Sequence, residues 1–255
     1  METETISSWT EWNAREYLET YYSDLMGDTY ETLNFLSREL KNDGRVYEKA
    51  IEFGAGPTLF GMLAIMPYMR SVDIAEYLPQ NLKEIEKWVK NEEGAFNWQT
   101  ATKYLLNINK HEITKTVIES YENDLRRKIK NLLPCDISKP KPLLDHNDKY
   151  DLLLSLFCAD SCTDSKTEWM HYMHNLLNIV EPNGTILIGA LKNCKSYRVG
   201  NKFFPCANIS EKDIEQFLAE DRHIFDDVSI HIAPVPECAD EGFSEVMFAK
   251  LKVRE

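Results

Sequence analysis

Along residues 11–40 the apolar positions recur at intervals of three and four, as with Tyr17, Leu18, Tyr21, Tyr22 and Leu25, and that spacing predicts helix. Near residue 50 the pattern changes to short apolar runs alternating with amphipathic stretches. Residues 50–53 read as a short buried strand, followed by Gly54-Ala55-Gly56-Pro57 and an apolar helix. Residues 71–75 read as a second strand. Pro79 stands at a helix start, where its missing N–H costs nothing, and 80–90 form an amphipathic helix carrying Leu82, Ile85, Trp88 and Val89. A more polar helix is predicted over 111–131. Strand signals return at 132–137 and at 150–157, the latter in the manner of a central parallel strand. Ser165-Lys166-Thr167-Glu168 reads as a capping box opening a helix to Val180. Glu181-Pro182-Asn183-Gly184 stops that helix and turns into a strand over 185–188. After a loop-rich stretch, 211–220 are helical, and 227–235 and 243–252 are two final strands.

Alternation of this kind argues an α/β fold, a mostly parallel sheet with helices on both faces. The closing strand pair implies one antiparallel strand at an edge. The 255 residues suffice for one such domain or two small ones, and no internal repeat divides them. With 43% hydrophobic and 28% charged residues, wholesale disorder is excluded. The net charge of −13 disfavours a nucleic-acid partner, which needs Lys and Arg to displace counterions. The basic cluster Arg126-Arg127-Lys128 with Lys130 reads as a solvated helix face among acids. The start, Met1-Glu2-Thr3-Glu4-Thr5, is acidic where a signal peptide is basic and then apolar. The longest apolar run, 59–69, is too short to span a bilayer. The expectation is a cytoplasmic chain without a membrane partner. Its six cysteines contain no C-x-x-C pair and are expected as free thiols.

Chemistry concentrates after the first strand. Ile51-Glu52-Phe53 runs into Gly54-Ala55-Gly56 and then a helix, and glycine admits close approach of a ligand to the backbone. A dinucleotide site asks for G-x-G-x-x-G, but the third position is Leu59, which favours a phosphate-free nucleoside. An acid ends the second strand, with Asp73 and Glu76 as candidates for accepting ribose hydroxyls. Asp136 ends the third, placed for an adenine amino group. His171 and His174 lack a third ligand nearby, so no metal site is expected. Cys158 and Cys162 read as packing, and no Ser-His-Asp signature is present.

Several stretches resemble the family of nicotinamide, phenylethanolamine, indolethylamine and thioether methyltransferases. They include Asn13-Ala14-Arg15-Glu16-Tyr17-Leu18-Glu19-Thr20-Tyr21-Tyr22, Glu52-Phe53-Gly54-Ala55-Gly56-Pro57-Thr58, Gln80-Asn81-Leu82-Lys83-Glu84-Ile85-Glu86-Lys87-Trp88, Phe96-Asn97-Trp98, Cys135-Asp136-Ile137 and 154–160. The likeness continues through Ala190-Leu191-Lys192 and Gly200-Asn201-Lys202-Phe203 to Glu241-Gly242-Phe243, roughly residues 12–252. It implies a Rossmann-like class I methyltransferase fold with a seven-stranded sheet, as a single domain with an N-terminal helical lid (1–45) and a core (46–255). It also implies S-adenosylmethionine as cofactor. Tyr17 and Tyr22 would fold over it, and Gly54, Ala55, Gly56 and Thr58 would line its methionine end. Glu76, where the family usually has aspartate, would hold the ribose. Asn81, Asp136 and Ile137 would surround ribose and adenine. Leu156, where relatives often have threonine, would lie below the sulfonium.

On the acceptor side the chain departs from the family. Relatives place an acid before Ala-Leu-Lys, and here that position is Gly189. Asp160 and Glu241 are expected to face the acceptor and take its proton, with Asp240 in reserve and Tyr17, Ala190 and Asn193 also at the substrate. The expected reaction is methylation, by a monomer, of an amine or guanidine-type nitrogen of a small molecule in specialised metabolism. One branch of the family serves guanitoxin biosynthesis and is one candidate match. The rival readings are a pyridine nitrogen, a thioether or chalcogen, and a non-catalytic nucleotide-binding relative.

Overall fold

The computed structural model describes residues 6–255; the acidic start at 1–5 lies outside the described residues. The helical pattern over 11–40 resolves into two helices. Helix α1 (Ala14–Tyr22) opens where the Asn13 side chain accepts from the amides of Arg15 and Glu16, satisfying donors that a first turn leaves free. Helix α2 (Gly27–Asp43) ends at Gly44, whose φ of 67° allows its N–H to return to the Leu40 carbonyl.

The chain then alternates. Strand β1 (Tyr47–Phe53), α3 (Phe60–Ile65), β2 (Met69–Glu76), α4 (Pro79–Val89), α5 (Gln99–Ile108), α6 (Lys115–Lys128) and β3 (Ile129–Pro134) form the first half. Strand β4 (Tyr150–Leu156), α7 (Lys166–Leu177), β5 (Val180–Leu191), a hairpin of β6 (Ser196–Val199) and β7 (Lys202–Pro205), α8 (Glu211–Glu220), β8 (Phe225–Pro234) and β9 (Glu245–Val253) follow. Seven strands make one sheet in the order β3-β2-β1-β4-β5-β9-β8. Pairing is parallel from β3 to β5, and β9 runs antiparallel to both its neighbours.

Residues of the central strands alternate between two cores, as the period of two requires. Ala50, Leu152, Leu154, Leu187 and Phe248 pack with Leu33 and Leu36 of α2 and Leu63 of α3. Ile51, Phe53, Leu153, Ile186 and Met247 pack with Trp169 and Met173 of α7 and Phe217 of α8. Strand order reverses between β1 and β4, which opens a crevice at their carboxyl ends.

Local expectations shift where polar residues disguise an element. Strand β3 begins three residues earlier than read, because at the sheet edge it exposes Lys130 and Asn131. It therefore ends before Asp136. Helix α5 buries only Ala101, Thr102, Leu105 and Leu106, too few apolar positions to mark it in the sequence pattern, and α6 starts later than 111. Helix α7 stops at Leu177. Ser165 caps it, but Glu168 accepts from Thr163 instead of completing the box. Glu181-Pro182-Asn183 forms an exposed interruption inside β5, where the register shifts between Tyr150 and Leu152, so it does not precede the strand. The antiparallel strand β9 is second from the edge, not at it, and β8 closes the sheet. In the basic cluster, Arg127 meets solvent and pairs with Asp124, whereas Arg126 lies 3.9 Å over the Trp88 ring and Lys128 donates to the Met66 carbonyl.

Asp151 fixes the start of the central pair. It accepts from the Glu48 and Lys49 amides at 2.8 and 2.9 Å and lies 3.5 Å from Arg45. Asp151→Ala should leave two amides of β1 unpaired and lower unfolding free energy by about 1–3 kcal/mol, read by urea denaturation. An unchanged midpoint would show that water replaces the carboxylate.

Candidate active site

The turn after β1 is held down onto β2. Gly54 and Ala55 donate their amides to the Ala75 carbonyl at 2.8 and 3.3 Å, and the Thr58 hydroxyl returns to the Ala55 carbonyl at 2.8 Å. Gly54 and Gly56 have φ of 73° and 59°, a region that other residues enter at a cost. The two glycines differ in what a side chain would meet. At Gly54 a Cβ would lie 2.0 Å from the Cys158 sulfur, so the thiol occupies that space. At Gly56 it would point towards the Tyr17 ring, 4.0 Å away.

Glu76 ends β2 beside this turn and is buried. One carboxylate oxygen accepts from the Gly56 amide at 2.9 Å; the other accepts from the Leu78 amide at 2.9 Å and the Asn81 amide group at 3.0 Å. Burial raises the pKa of Glu76, while these three donors and the Tyr77 amide oppose the rise. Asp73, the other candidate, is buried elsewhere and accepts from Tyr150 and Asn131.

All of the expected cofactor residues, Tyr17, Tyr22, Gly54, Ala55, Gly56, Thr58, Glu76, Asn81, Asp136, Ile137 and Leu156, line one cavity of about 330 Å³ at the carboxyl ends of β1, β2 and β4. Asp136 and Ile137 come from the loop beyond β3, where Ser138 donates to Asp136 through amide and hydroxyl. Phe157 follows β4 with a φ of 53°, a strained conformation for a bulky residue; its ring meets the cavity. Trp12 also lines the cavity and donates from Nε1 to Asn81 at 2.8 Å. Neither residue carried a motif that would single it out. Cys158 pairs with Cys162, and that contact, together with burial, holds its thiol well above the usual range. It stays protonated, in keeping with a packing role.

The acceptor-side residues are placed differently. A recess of about 40 Å³ adjoins the cavity and shares Tyr17, Tyr22, Phe157, Ser161 and Tyr197 with it, while Tyr21, Asp28, Leu191 and Phe243 complete its wall. Asp160 lines neither space. Its carboxylate is buried against the Leu191 amide at 2.8 Å, and burial pushes its pKa up to about 6. Ala190 is buried within β5, where it pairs with Met247. Asn193 is exposed on a turn with φ of 54°, and Asp240 is exposed. Glu241 pairs with Arg198 at 3.2 Å. Of the expected substrate residues, only Tyr17 reaches a cavity. Asp28, which carried no motif, is the carboxylate on the recess.

These residues fit a nucleoside cofactor. The glycine turn leaves open backbone at Gly56, the Glu76 carboxylate borders the cavity, and the far wall beyond β3 is apolar and polar by turns at Ile137 and Ser138. Among the described residues no carboxylate, thiol or imidazole on the cavity is arranged as a nucleophile with its base.

Comparison with known proteins agrees in fold and sequence. The model of the NNMT/PNMT/TEMT family matches residues 2–238. The chain is similar to human nicotinamide N-methyltransferase, 27% identical over 82% of this chain and 80% of that one. It is similar to rabbit (Oryctolagus cuniculus) indolethylamine N-methyltransferase, 27% identical over 81% and 80%. In fold it resembles the N-methyltransferase NodS of Bradyrhizobium japonicum in complex with S-adenosyl-L-homocysteine. The TM-score is 0.54, at 13% identity, over 96% of this chain and 100% of that one.

Gly56→Val should drive a branched side chain into the gap beneath Tyr17 and strain the turn. Calorimetry should then find the expected S-adenosylmethionine binding weakened by at least about tenfold, from a backbone cost of order 1–3 kcal/mol before any steric term. Unchanged affinity in a folded variant would remove the turn from the site.

Proposed function

The chain belongs to the NNMT/PNMT/TEMT family, and we propose that its acceptor is an amine or guanidine-type nitrogen of a small molecule. It is an S-adenosylmethionine-dependent N-methyltransferase. In this reading Gly54, Ala55, Gly56 and Thr58 bed the methionine end, Glu76 and Asn81 take the ribose, Asp136 and Ile137 flank the adenine, Leu156 lies below the sulfonium, and Tyr17 and Tyr22 cover it. The chain works as one domain whose N-terminal helices form a lid, as a cytoplasmic monomer acting on neither nucleic acid nor membrane. Among the described residues no helix is long and apolar enough to cross a membrane.

Bound S-adenosylmethionine supplies a methyl group on a sulfonium, electrophilic without a metal. The protein has to hold a nitrogen lone pair in line and keep water out, and positioning accounts for most of such an acceleration. Tyr17 and Tyr22 close the cavity from α1, their hydroxyls 3.5 Å apart. Burial pushes the pKa of Tyr17 up to about 12 and raises that of Tyr22 well above its ordinary value. Both stay protonated at neutral pH and serve as neutral walls, not bases. A protonated amine has no lone pair, so a carboxylate or water must take its proton first.

The observation that carries the amine reading is the recess joined to the cavity through Tyr17, Tyr22 and Phe157, aromatic on its sides and acidic at one point. A panel of primary and secondary amines, guanidines and pyridines, assayed by mass spectrometry for added methyl groups, tests it. Amine or guanidine products are expected; products confined to pyridines or thioethers would overturn it. On the cofactor side, Glu76→Gln keeps the shape but removes the charge. Charged hydrogen bonds contribute about 1.5–3 kcal/mol, so S-adenosylmethionine affinity should fall roughly tenfold to a hundredfold in calorimetry. A smaller change than that would take the ribose away from Glu76.

A further inference from the structure

We propose that Asp28 is the anionic anchor of the acceptor, holding a cationic ammonium or guanidinium headgroup in the tyrosine-walled recess. The inference rests on the amine reading above and adds the residue and the charge that would select the acceptor. Asp28 is the second residue of α2 and is 6% exposed, yet it lines the recess, and its charge acts on Tyr17, Tyr21 and Tyr22. Its side-chain partners are weak. The Cys238 thiol lies 3.9 Å from Oδ1, and backbone amides of its own first turn and the Thr29 hydroxyl complete the set. Among the described residues no Lys, Arg or His pairs with it. A buried carboxylate without a cation is costly. Burial accordingly pushes its pKa up to about 6, while the helix amides pull the other way.

The walls suit a cation. The rings of Tyr17 and Tyr21 stand 5.1 Å apart and those of Tyr17 and Tyr22 5.7 Å apart, and aromatic faces attract cationic nitrogen. The Tyr21 hydroxyl is taken up by the Arg198 carbonyl at 2.6 Å. The tyrosine hydroxyls are held protonated by burial, so among the described residues Asp28 is the one charge on the recess wall. About 40 Å³ holds a headgroup of a few atoms, not an aromatic ring. An ammonium acceptor can then pass an N–H proton to a carboxylate oxygen of Asp28. The N–H bond breaks, an O–H bond forms, the electron pair stays on nitrogen, and the carboxyl group becomes neutral. No further reactant is needed.

The test uses the full chain saturated with S-adenosylhomocysteine. Ethylguanidinium, cationic throughout the range used, is compared by calorimetry with ethylurea, which has its shape and no charge. Wild type at about pH 8 should prefer the guanidinium, and Asp28→Asn should lose at least about tenfold of that preference with ethylurea and S-adenosylhomocysteine affinities unchanged. Binding of the cation needs ionised Asp28. The wild-type preference should therefore fall as pH drops below about 6, approaching about tenfold per unit, and should be flat in Asp28→Asn. Tyr17, Tyr21, Tyr22, Glu237 and Cys238 face Asp28, and Asp160 also lies near 6; the variant's profile separates Asp28 from them. If Asp28→Asn fails to fold, the wild-type profile decides, and a preference unchanged between about pH 8 and pH 5 overturns the proposal. An Asp28→Asn protein that keeps the preference overturns it as well. The product screen judges the amine reading separately. Amine products from a chain whose cation preference ignores Asp28 would leave that reading standing and remove only the anchor.

Discussion

The Glu76 carboxylate is the interaction on which the rest of the site depends. It is a buried acid at the end of β2, and it gathers three donors from two segments: Gly56 in the turn after β1, Leu78 at the start of α4 and Asn81 one turn further. Asn81 in turn accepts from Trp12 Nε1, ahead of α1. One charge thus fixes the floor of the cavity, the helix that opens beside it and the segment that covers it. Charge-assisted hydrogen bonds are the stronger kind, and a low local dielectric strengthens them further while making any unpaired partner expensive. Beneath the turn, Glu52 is buried with one oxygen unpartnered. Burial, and then the charge of Glu76, push its carboxyl well above the usual range. Donors that oppose the rise surround Glu76, whereas Glu52 keeps that oxygen unpartnered, so of the two Glu76 is the better placed to carry the charge.

That arrangement explains which parts of the site were legible in the sequence. The cofactor residues sit at strand ends and in the turn, positions that a period of two and a pair of glycines locate directly. Glu76 follows Gly56 by twenty residues along a strand–helix–strand path whose geometry leaves little choice. Even where β3 was read three residues too late, Asp136 and Ile137 arrived on the cavity, because the loop after an edge strand returns over the crevice. Acceptor residues obey no such rule. Asp160 follows the end of β4 much as Asp136 follows the end of β3, but it turns inward to the Leu191 amide. The local pattern does not distinguish a carboxylate that faces a cavity from one that stitches two strands. Asp28 was hidden for the opposite reason: an acid in the first turn of a helix is an ordinary preference, and only tertiary packing brings it against Tyr17, Tyr21 and Tyr22.

The protein carries a net charge of −13, yet little of that charge reaches the reacting space. The Cys162 contact together with burial holds the Cys158 thiol neutral, and burial does the same for the Tyr22 phenol. Glu76 is surrounded by donors. A cavity lined in this way offers few competing bases and few nucleophiles to a methyl donor. It also keeps the local dielectric low, which magnifies whatever charge remains. The distribution of ionisation around the cavity matters more here than the total.

Glu241 shows how an acid can serve an acceptor site without touching it. One of its oxygens pairs with Arg198 at 3.2 Å, and the Arg198 carbonyl accepts the Tyr21 hydroxyl at 2.6 Å. The chain of contacts runs from the 3-10 turn before β9, through β6, to a ring on the recess wall. The β6–β7 hairpin is otherwise anchored to the N-terminal segment by Ser7, whose amide meets the Phe203 carbonyl, and by Lys202, which donates to the Glu11 carbonyl. Removing Glu241 would therefore loosen Arg198 and the orientation of Tyr21, not the proton chemistry of the acceptor. A loss of activity on its substitution would look like the loss of a base in a single-variant assay. The two roles separate on pH: a positioning acid changes the rate without moving the profile, whereas a proton acceptor takes the acidic limb of the profile with it. On this geometry Glu241 belongs to the first kind.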